Sequence, residues 1–290
     1  MGKKRQTDNI LWASYGPDVS ESLMKYGIYL AGLFETGIES LYVIPTTYNE
    51  EKYDYFTELE KKLNAEWTEL TAKENLDKLK SLQKIIQSTN IKTSDKIQEG
   101  VPCHEIIKFI NEQPVSMIVM GRGMKMGGNY ILQKTTHYVI KNSTVPVFIA
   151  DSSNEIRDIK NILVPVFQNQ INSRSLKFAL NIAGKIGNCS LTILNINNPS
   201  LTPEETERKH GDAYFNLSSS VIKNKNINTV VIDNESISGG IIDYVNDHET
   251  DLIVIETYLG DKKKVFHSEG SIAEEILKMT DCPLVTVRAE

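Results

Sequence analysis

Two glycines and a serine near the carboxyl end carry the most specific chemistry in this sequence. Gly260 and Gly270 stand with nine residues between them, and Ser271 follows directly, opening a helical pattern that runs through Met279. A helix start offers N–H groups without intrahelical partners and the positive end of the dipole, which together favour an anion. Glycine lets a phosphate approach the backbone, and the serine hydroxyl adds a donor. Lys262, Lys263 and Lys264 would add neutralising charge if they fold inward. The plainer reading of the same residues is a capped helix start behind a solvated lysine loop.

Other chemistry-bearing residues do not assemble into a site. His104, His137, His210, His248 and His267 fall in separate segments without metal-ligand spacing. Cys103 and His104 are neighbours in sequence, so on a helix they point in different directions and make a poor activated-thiol pair. Gly121, Arg122 and Gly123 begin a glycine run that Met126 breaks, and the run follows the fourth strand candidate rather than the first. No nucleophile elbow occurs. No catalytic residue and no metal ligand is assigned.

The elements that would position the glycine loop come from an internal repeat. Ile10–Tyr15 and Ile162–Phe167 are matching apolar runs, 152 positions apart, each followed by a polar turn and a helical pattern, Leu23–Leu33 and Leu176–Ala183. Ile38–Pro45 matches Ser190–Ile196, Ser116–Met120 matches Asp251–Ile255, and Val145–Ile149 matches Cys282–Val287. Short apolar runs bounded by turns read as buried strands, and their alternation with helices implies parallel sheets with right-handed crossovers. The expected architecture is therefore α/β, with two tandem open parallel-sheet domains of five strands each. Residues 1–150 form the first and 159–290 the second, joined by a polar linker over 151–158. In such sheets ligands bind beyond the carboxyl ends of the strands, where the strand order reverses.

The first half carries an insertion, Glu50–Ser88, in which Leu59, Leu63, Trp67 and Leu70 recur at helical spacing. It reads as a longer surface helix or helical hairpin. Its other reading is a docking surface for a protein partner, anchored by Trp67, Tyr48, Tyr53, Tyr55 and Phe56.

Composition narrows the function classes. The chain has 290 residues, 40% hydrophobic and 24% charged, ordinary values for a folded protein. Residues 1–150 carry 18 Lys+Arg against 18 Asp+Glu, and residues 151–290 carry 14 against 20, so the net charge of −6 lies in the second half. Neither half has the basic surplus that phosphate-backbone binding requires, which disfavours nucleic acid as a partner. No stretch approaches the ~18 uninterrupted apolar residues of a membrane span. Three scattered cysteines make no disulfide framework. The basic N-terminus lacks an apolar h-region, so a cytoplasmic location is expected.

The glycine spacing and the repeat together resemble the universal stress protein family in its tandem, two-domain form. That family's phosphate motif is Gly, two residues, Gly, nine residues, then Gly-Ser or Gly-Thr. Gly260, Gly270 and Ser271 match its last three fixed points, while Glu256 or Thr257 stands at the first glycine. The resemblance implies an adenine-nucleotide-alpha-hydrolase-like (Rossmann-like) fold and a stress-response role as a nucleotide sensor or signalling module. It implies ATP or AMP as ligand, with Mg2+ accompanying ATP, and at most slow hydrolysis. The residues carried over are Pro165 and Val166 as backbone contacts, Ile196 as an apolar contact to adenine, and Thr257, Gly260, Gly270, Ser271 and Ile272 around the phosphates. The family's aspartate at the end of the first strand is replaced by Phe167 in the second half and Tyr15 in the first. Phe167 either stacks on a base or fills the pocket. In the first half Gln133 and Lys134 replace the Gly-Ser pair, so that half is expected not to bind nucleotide. Family members commonly dimerise through the last strand. The resemblance thus implies pairing of 145–150 with 283–287 as an intramolecular pseudo-dimer, monomeric or further assembled as a homodimer. The alternative function is a nucleotide-independent stress protein that works through a partner on the 50–88 helices.

Overall fold

The computed structural model describes residues 8–15, 19–45, 69–126, 129–132, 134–152, 155–166, 174–197, 226–257 and 272–289. The chain divides into two compact units, Met1–Ile156 and Arg157–Glu290. Both are α/β, with every neighbouring pair in the main sheet of each unit parallel.

In the first unit the strands are β1 (Asn9–Tyr15), β2 (Ile38–Pro45), β3 (Thr93–Gly100), β4 (Val115–Gly121) and β7 (Val147–Ala150), in spatial order β7-β4-β1-β2-β3. β1 lies at the centre, and Ile10 to Tyr15 are all buried. A strand covered by helices on both faces needs a continuous apolar run rather than alternation, and Ile10-Leu11-Trp12-Ala13 supplies one. At the far end β3 is polar and largely exposed, with Asp95, Lys96 and Glu99 on a strand that has only one neighbour. Charge on an edge strand discourages further pairing.

Helix α1 (Glu21–Phe34) packs on β1 and is capped by Ser20, whose Oγ accepts from the Leu23 N–H at 3.4 Å and donates to the Ser152 carbonyl at 2.7 Å. Its buried stripe includes Leu23, Met24, Tyr26, Gly27, Leu30 and Ala31, and the Tyr26 ring meets Phe148 at 4.9 Å. Helix α2 (Glu69–Gln87) lies inside the insertion read as helical, and it buries Leu79, Leu82 and Ile86. The anchors Trp67, Tyr48, Tyr53, Tyr55 and Phe56 lie outside the described residues. Helices α3 (Pro102–Glu112) and α4 (Lys134–Asn142) complete the first unit.

The first unit also carries a small sheet apart from its five parallel strands. An antiparallel hairpin, β5 (Gly123–Met126) with β6 (Asn129–Leu132), joins β4 to α4. Gly121 and Gly123, the start of the glycine run that Met126 breaks, end β4 and begin this hairpin. Arg122 between them is fully buried, and its backbone N–H donates to the Ala150 carbonyl at 3.0 Å.

The second unit repeats the same order. Its strands are β8 (Asn161–Val166), β9 (Ser190–Asn197), β10 (Ile227–Asp233), β11 (Leu252–Thr257) and β12 (Leu284–Arg288), arranged β10-β9-β8-β11-β12. Its helices are α5 (Arg174–Ile186), α6 (Ile237–Asp247) and α7 (Ile272–Met279). α5 packs on β8, β9, β11 and β12. β10, like β3, is an exposed edge. Among the described residues no helix is long and apolar enough to cross a membrane.

Cys103, Cys189 and Cys282 are buried thiols. Burial pushes the Cys189 thiol up to about 11, with a further push from the Asp251 charge. Since the thiolate is the reactive form, Cys189 should resist alkylation at pH 8 in the folded protein. A chromogenic disulfide reagent should titrate three thiols in denaturant and essentially none quickly in native buffer. Fast native labelling of Cys189 would contradict this burial.

Candidate nucleotide site

In the second unit the strand order reverses between β8 and β11, since β8 leads outward to β9 while β11 lies on its other side. The two strands pair at Leu252–Ile162 and Ile253–Leu163, with no further pair toward their carboxyl ends. Pro165 brings no N–H to a ladder, in keeping with a pairing that has already ended two residues earlier. The carboxyl ends of β8 and β11 thus flank the crevice position of an open parallel sheet.

Four of the residues singled out in the sequence stand at this edge. Pro165, buried, and Val166, half-buried, end β8; Ile196 is the penultimate residue of β9; Thr257 ends β11, its carbonyl accepting from the Ala289 N–H at 2.8 Å. Ile272, half-buried, is the first residue of α7, whose Ala273, Ile276 and Leu277 face the core. Glu274 and Glu275 in its first turn complement the helix dipole. Gly260, Gly270, Ser271 and Phe167 lie outside the described residues.

The β9 and β10 side of the edge is closed by its own hydrogen bonds. Ser236 caps α6 by accepting from the Gly239 N–H at 3.2 Å, and Asn234 Oδ1 accepts from the Ser236 N–H at 2.9 Å. Asn234 Nδ2 donates to Asp243 at 3.1 Å, and Asn197 Nδ2 donates to Asp233 at 2.7 Å. Gly240 lets α6 sit against Ile196: a Cβ there would meet Ile196 Cδ1 at 3.2 Å and Asn234 Cβ at 3.1 Å. One side of Ile196 is therefore taken by α6.

Of Glu256 and Thr257, the two residues that stand for the missing glycine, Glu256 sends its side chain where no sequence pattern points. The side chain is half-buried and reaches across from β11 to α5, where Oε1 accepts from the Arg174 N–H at 3.1 Å. Burial pushes the carboxyl above its ordinary range; the Arg174 N–H and the charges of Arg174 and Lys177 oppose that push. A resident carboxylate thus sits on a helix N-terminus beside the crevice.

In the first unit Tyr15, at the equivalent strand end, is buried. An open groove of about 480 Å³ lies elsewhere, between α3 and α4, lined by His104, Ile107, Lys108, Asn111, Glu112 and Tyr138. His104 and Tyr138 meet edge to face, with centroids 5.2 Å apart. No sequence pattern pointed to this groove, because its residues lie on two helices more than twenty positions apart. Among the described residues no cluster of three His, Cys, Asp or Glu side chains could hold a metal ion.

Two units, each built on an open parallel sheet ordered third-second-first-fourth-fifth along its own chain, define a tandem Rossmann-like protein. The profile of the universal stress protein family matches residues 6–151 and again 158–288, and the chain belongs to that family as a tandem member. A universal stress protein of Methanocaldococcus jannaschii is 29% identical over 136 residues, covering 46% of this chain and 76% of that protein. A second from the same organism is 31% identical over 98 residues, covering 33% of this chain and 58% of that protein. A universal stress protein of Archaeoglobus fulgidus, known from its crystal structure, aligns over 97% of this chain and 98% of its own at a TM-score of 0.69 and 17% identity, a likeness of fold.

Proposed function

We propose that the second unit binds an adenine nucleotide, ATP or AMP, and that the protein acts in the stress response as a nucleotide sensor or signalling module rather than as an efficient enzyme. The observation that carries this reading is the shared position of Val166, Ile196 and Thr257 at the carboxyl edge where β8 and β11 part. The spacing of Gly260, Gly270 and Ser271 between β11 and α7 supports it from the sequence. Mg2+ would enter with ATP. The first unit, with a hairpin after β4 and Tyr15 buried at the end of β1, serves as a structural partner in this reading. A cytoplasmic location goes with it.

The test is thermal melting with and without millimolar AMP, or ATP with magnesium, alongside chromatography of small molecules released on denaturation. Ligand that binds only the folded state raises the melting temperature by mass action. The expected shift disappears in Gly270→Val and shrinks in Ser271→Ala. No shift and no released nucleotide would defeat the reading. A nucleotide-independent role through a protein partner is then favoured, with Glu256 on the α5 N-terminus as the observation on its side.

A further inference from the structure

We infer that α2 is a detachable cover of the first unit, seated over a seam of unmet polar groups and built to lift from the sheet while α1 and the strands stay folded. This lifting does not depend on nucleotide binding. Register and contacts fix the face that α2 covers. Gln98 Nε2 donates to Glu105, and the Lys96 ammonium lies over the Phe109 ring, so the even positions of β3 face α3. Thr93, Asp95 and Ile97 face the other way, level with Ile38, Ser40 and Tyr42 of β2. Trp12 and Ser14 of β1 share that face, paired with Ser40 and Tyr42. α1 lies on it, since a Cβ added to Gly27 would meet Ile38 Cδ1 and the Trp12 Cβ. α2 packs beside α1 and on β3, and so covers the same face.

Polar atoms on this face are buried without being paired. Among the described residues Trp12 Nε1, Ser14 Oγ, Ser40 Oγ and Thr93 Oγ1 have no hydrogen-bond partner, and neither has Gln83 Nε2 on α2. Gln83 stands in the buried stripe of its helix, at helical spacing from Leu79, Leu82 and Ile86. A buried donor or acceptor without a partner carries its full desolvation cost, which water relieves when the surfaces part. Lifting α2 relieves Gln83 and Thr93 directly, since one is on the helix and the other on the strand it packs against. Against that stand Leu79, Leu82 and Ile86, while Ile85 of α2 and Ile97 of β3 stay exposed. α1 is held more firmly, by Leu23, Met24, Tyr26, Leu30 and Ala31 and by a cap tied to the Ser152 carbonyl. The two helices share a face but not a stability, and local opening falls on α2.

Hydrogen–deuterium exchange of the full chain, read by mass spectrometry on peptides spanning 76–87 and 21–34, tests this. The α2 peptide is expected to be protected about a hundredfold less than the α1 peptide, relative to intrinsic rates. Gln83→Leu removes the unmet amide, extends the apolar stripe and keeps a strong helix former. It should slow exchange of 76–87 by about tenfold and leave 21–34 unchanged. Lys84→Leu adds the same side chain at an exposed position and should change neither peptide. Thr93→Val, close in shape to the residue it replaces, makes the same test from the strand side, and circular dichroism checks that each variant is folded. Equal protection of the two wild-type peptides overturns the inference, because α2 would then open only with the whole unit. Unchanged or faster exchange of 76–87 in both Gln83→Leu and Thr93→Val, or an equal slowing in Lys84→Leu, overturns it as well, since the unmet polar groups would not be what loosens the helix.

Discussion

Replacing Trp12 with alanine should cost the first unit about 3–5 kcal/mol, a range set by large-to-small substitution of fully buried aromatics. The indole is wholly inaccessible at the middle of β1, the central strand, paired with Ser40 of β2 and Val119 of β4. Small residues around it make room: Ser40 beside it, and Gly27 on α1, where an added Cβ would lie 3.8 Å from the Trp12 Cβ and 2.8 Å from Ile38 Cδ1. A parallel strand hydrogen-bonded on both sides cannot slide to close the space, so most of the cavity should persist. Trp12→Phe should be far milder, about 1–2 kcal/mol, because the indole Nε1 has no hydrogen-bond partner among the described residues and no bond is lost with it. Urea unfolding followed by far-ultraviolet circular dichroism separates the two variants. A cost below about 1.5 kcal/mol for the alanine variant would mean that β1 is not the packed centre of its sheet.

The strands most legible in the sequence are those that must be apolar on both faces. Ile10–Tyr15 and Ile162–Val166 announce themselves because a central parallel strand tolerates no polar face, and the same holds for Met117–Met120 and Leu252–Ile255. The edge strands are much fainter. Thr93-Ser-Asp-Lys-Ile-Gln-Glu-Gly100 has one large apolar residue, and Ile97 is itself exposed, so no periodicity marks it as a strand. Its existence is fixed by pairing with β2 from Ile38↔Thr93 to Pro45↔Gly100, a tertiary fact. The β5–β6 hairpin is hidden for another reason: Gly121 and Gly123 read only as a broken glycine run, and glycine is as much at home beside a tight backbone change as beside a phosphate. The candidate site was legible as a set of strand ends, because parallel topology alone brings Val166, Ile196 and Thr257 to one edge. The Glu256 contact with Arg174 was not, since residues 82 positions apart in the chain meet only once β11 and α5 are packed together.

Asp251 should be the most costly single polar residue to remove from the second unit, at about 2–3 kcal/mol for Asp251→Ala. It lies immediately before β11, and its Oδ2 accepts from three donors at the start of β8: the Lys160 N–H at 3.0 Å, the Asn161 N–H at 2.8 Å and Asn161 Nδ2 at 3.3 Å. Its own N–H donates to the Asn161 carbonyl at 2.9 Å. These bonds pin together the amino ends of two strands whose ladder is short, and so set the register from which their carboxyl ends diverge around the crevice. Alanine leaves two backbone donors without their acceptor, whereas asparagine still presents a carbonyl oxygen. Asp251→Asn should therefore recover more than half of the loss. A second readout ties the effect to the charge itself: because burial first and Asp251 second hold the Cys189 thiol at about 11, Asp251→Asn should lower that value and speed Cys189 alkylation at high pH. Urea midpoints for the two variants, with thiol reactivity between pH 8 and 10 for asparagine, make the comparison. If asparagine is as destabilised as alanine, or Cys189 reacts no faster, the carboxylate is not what holds β8 to β11, and the placing of the crevice by that register fails with it.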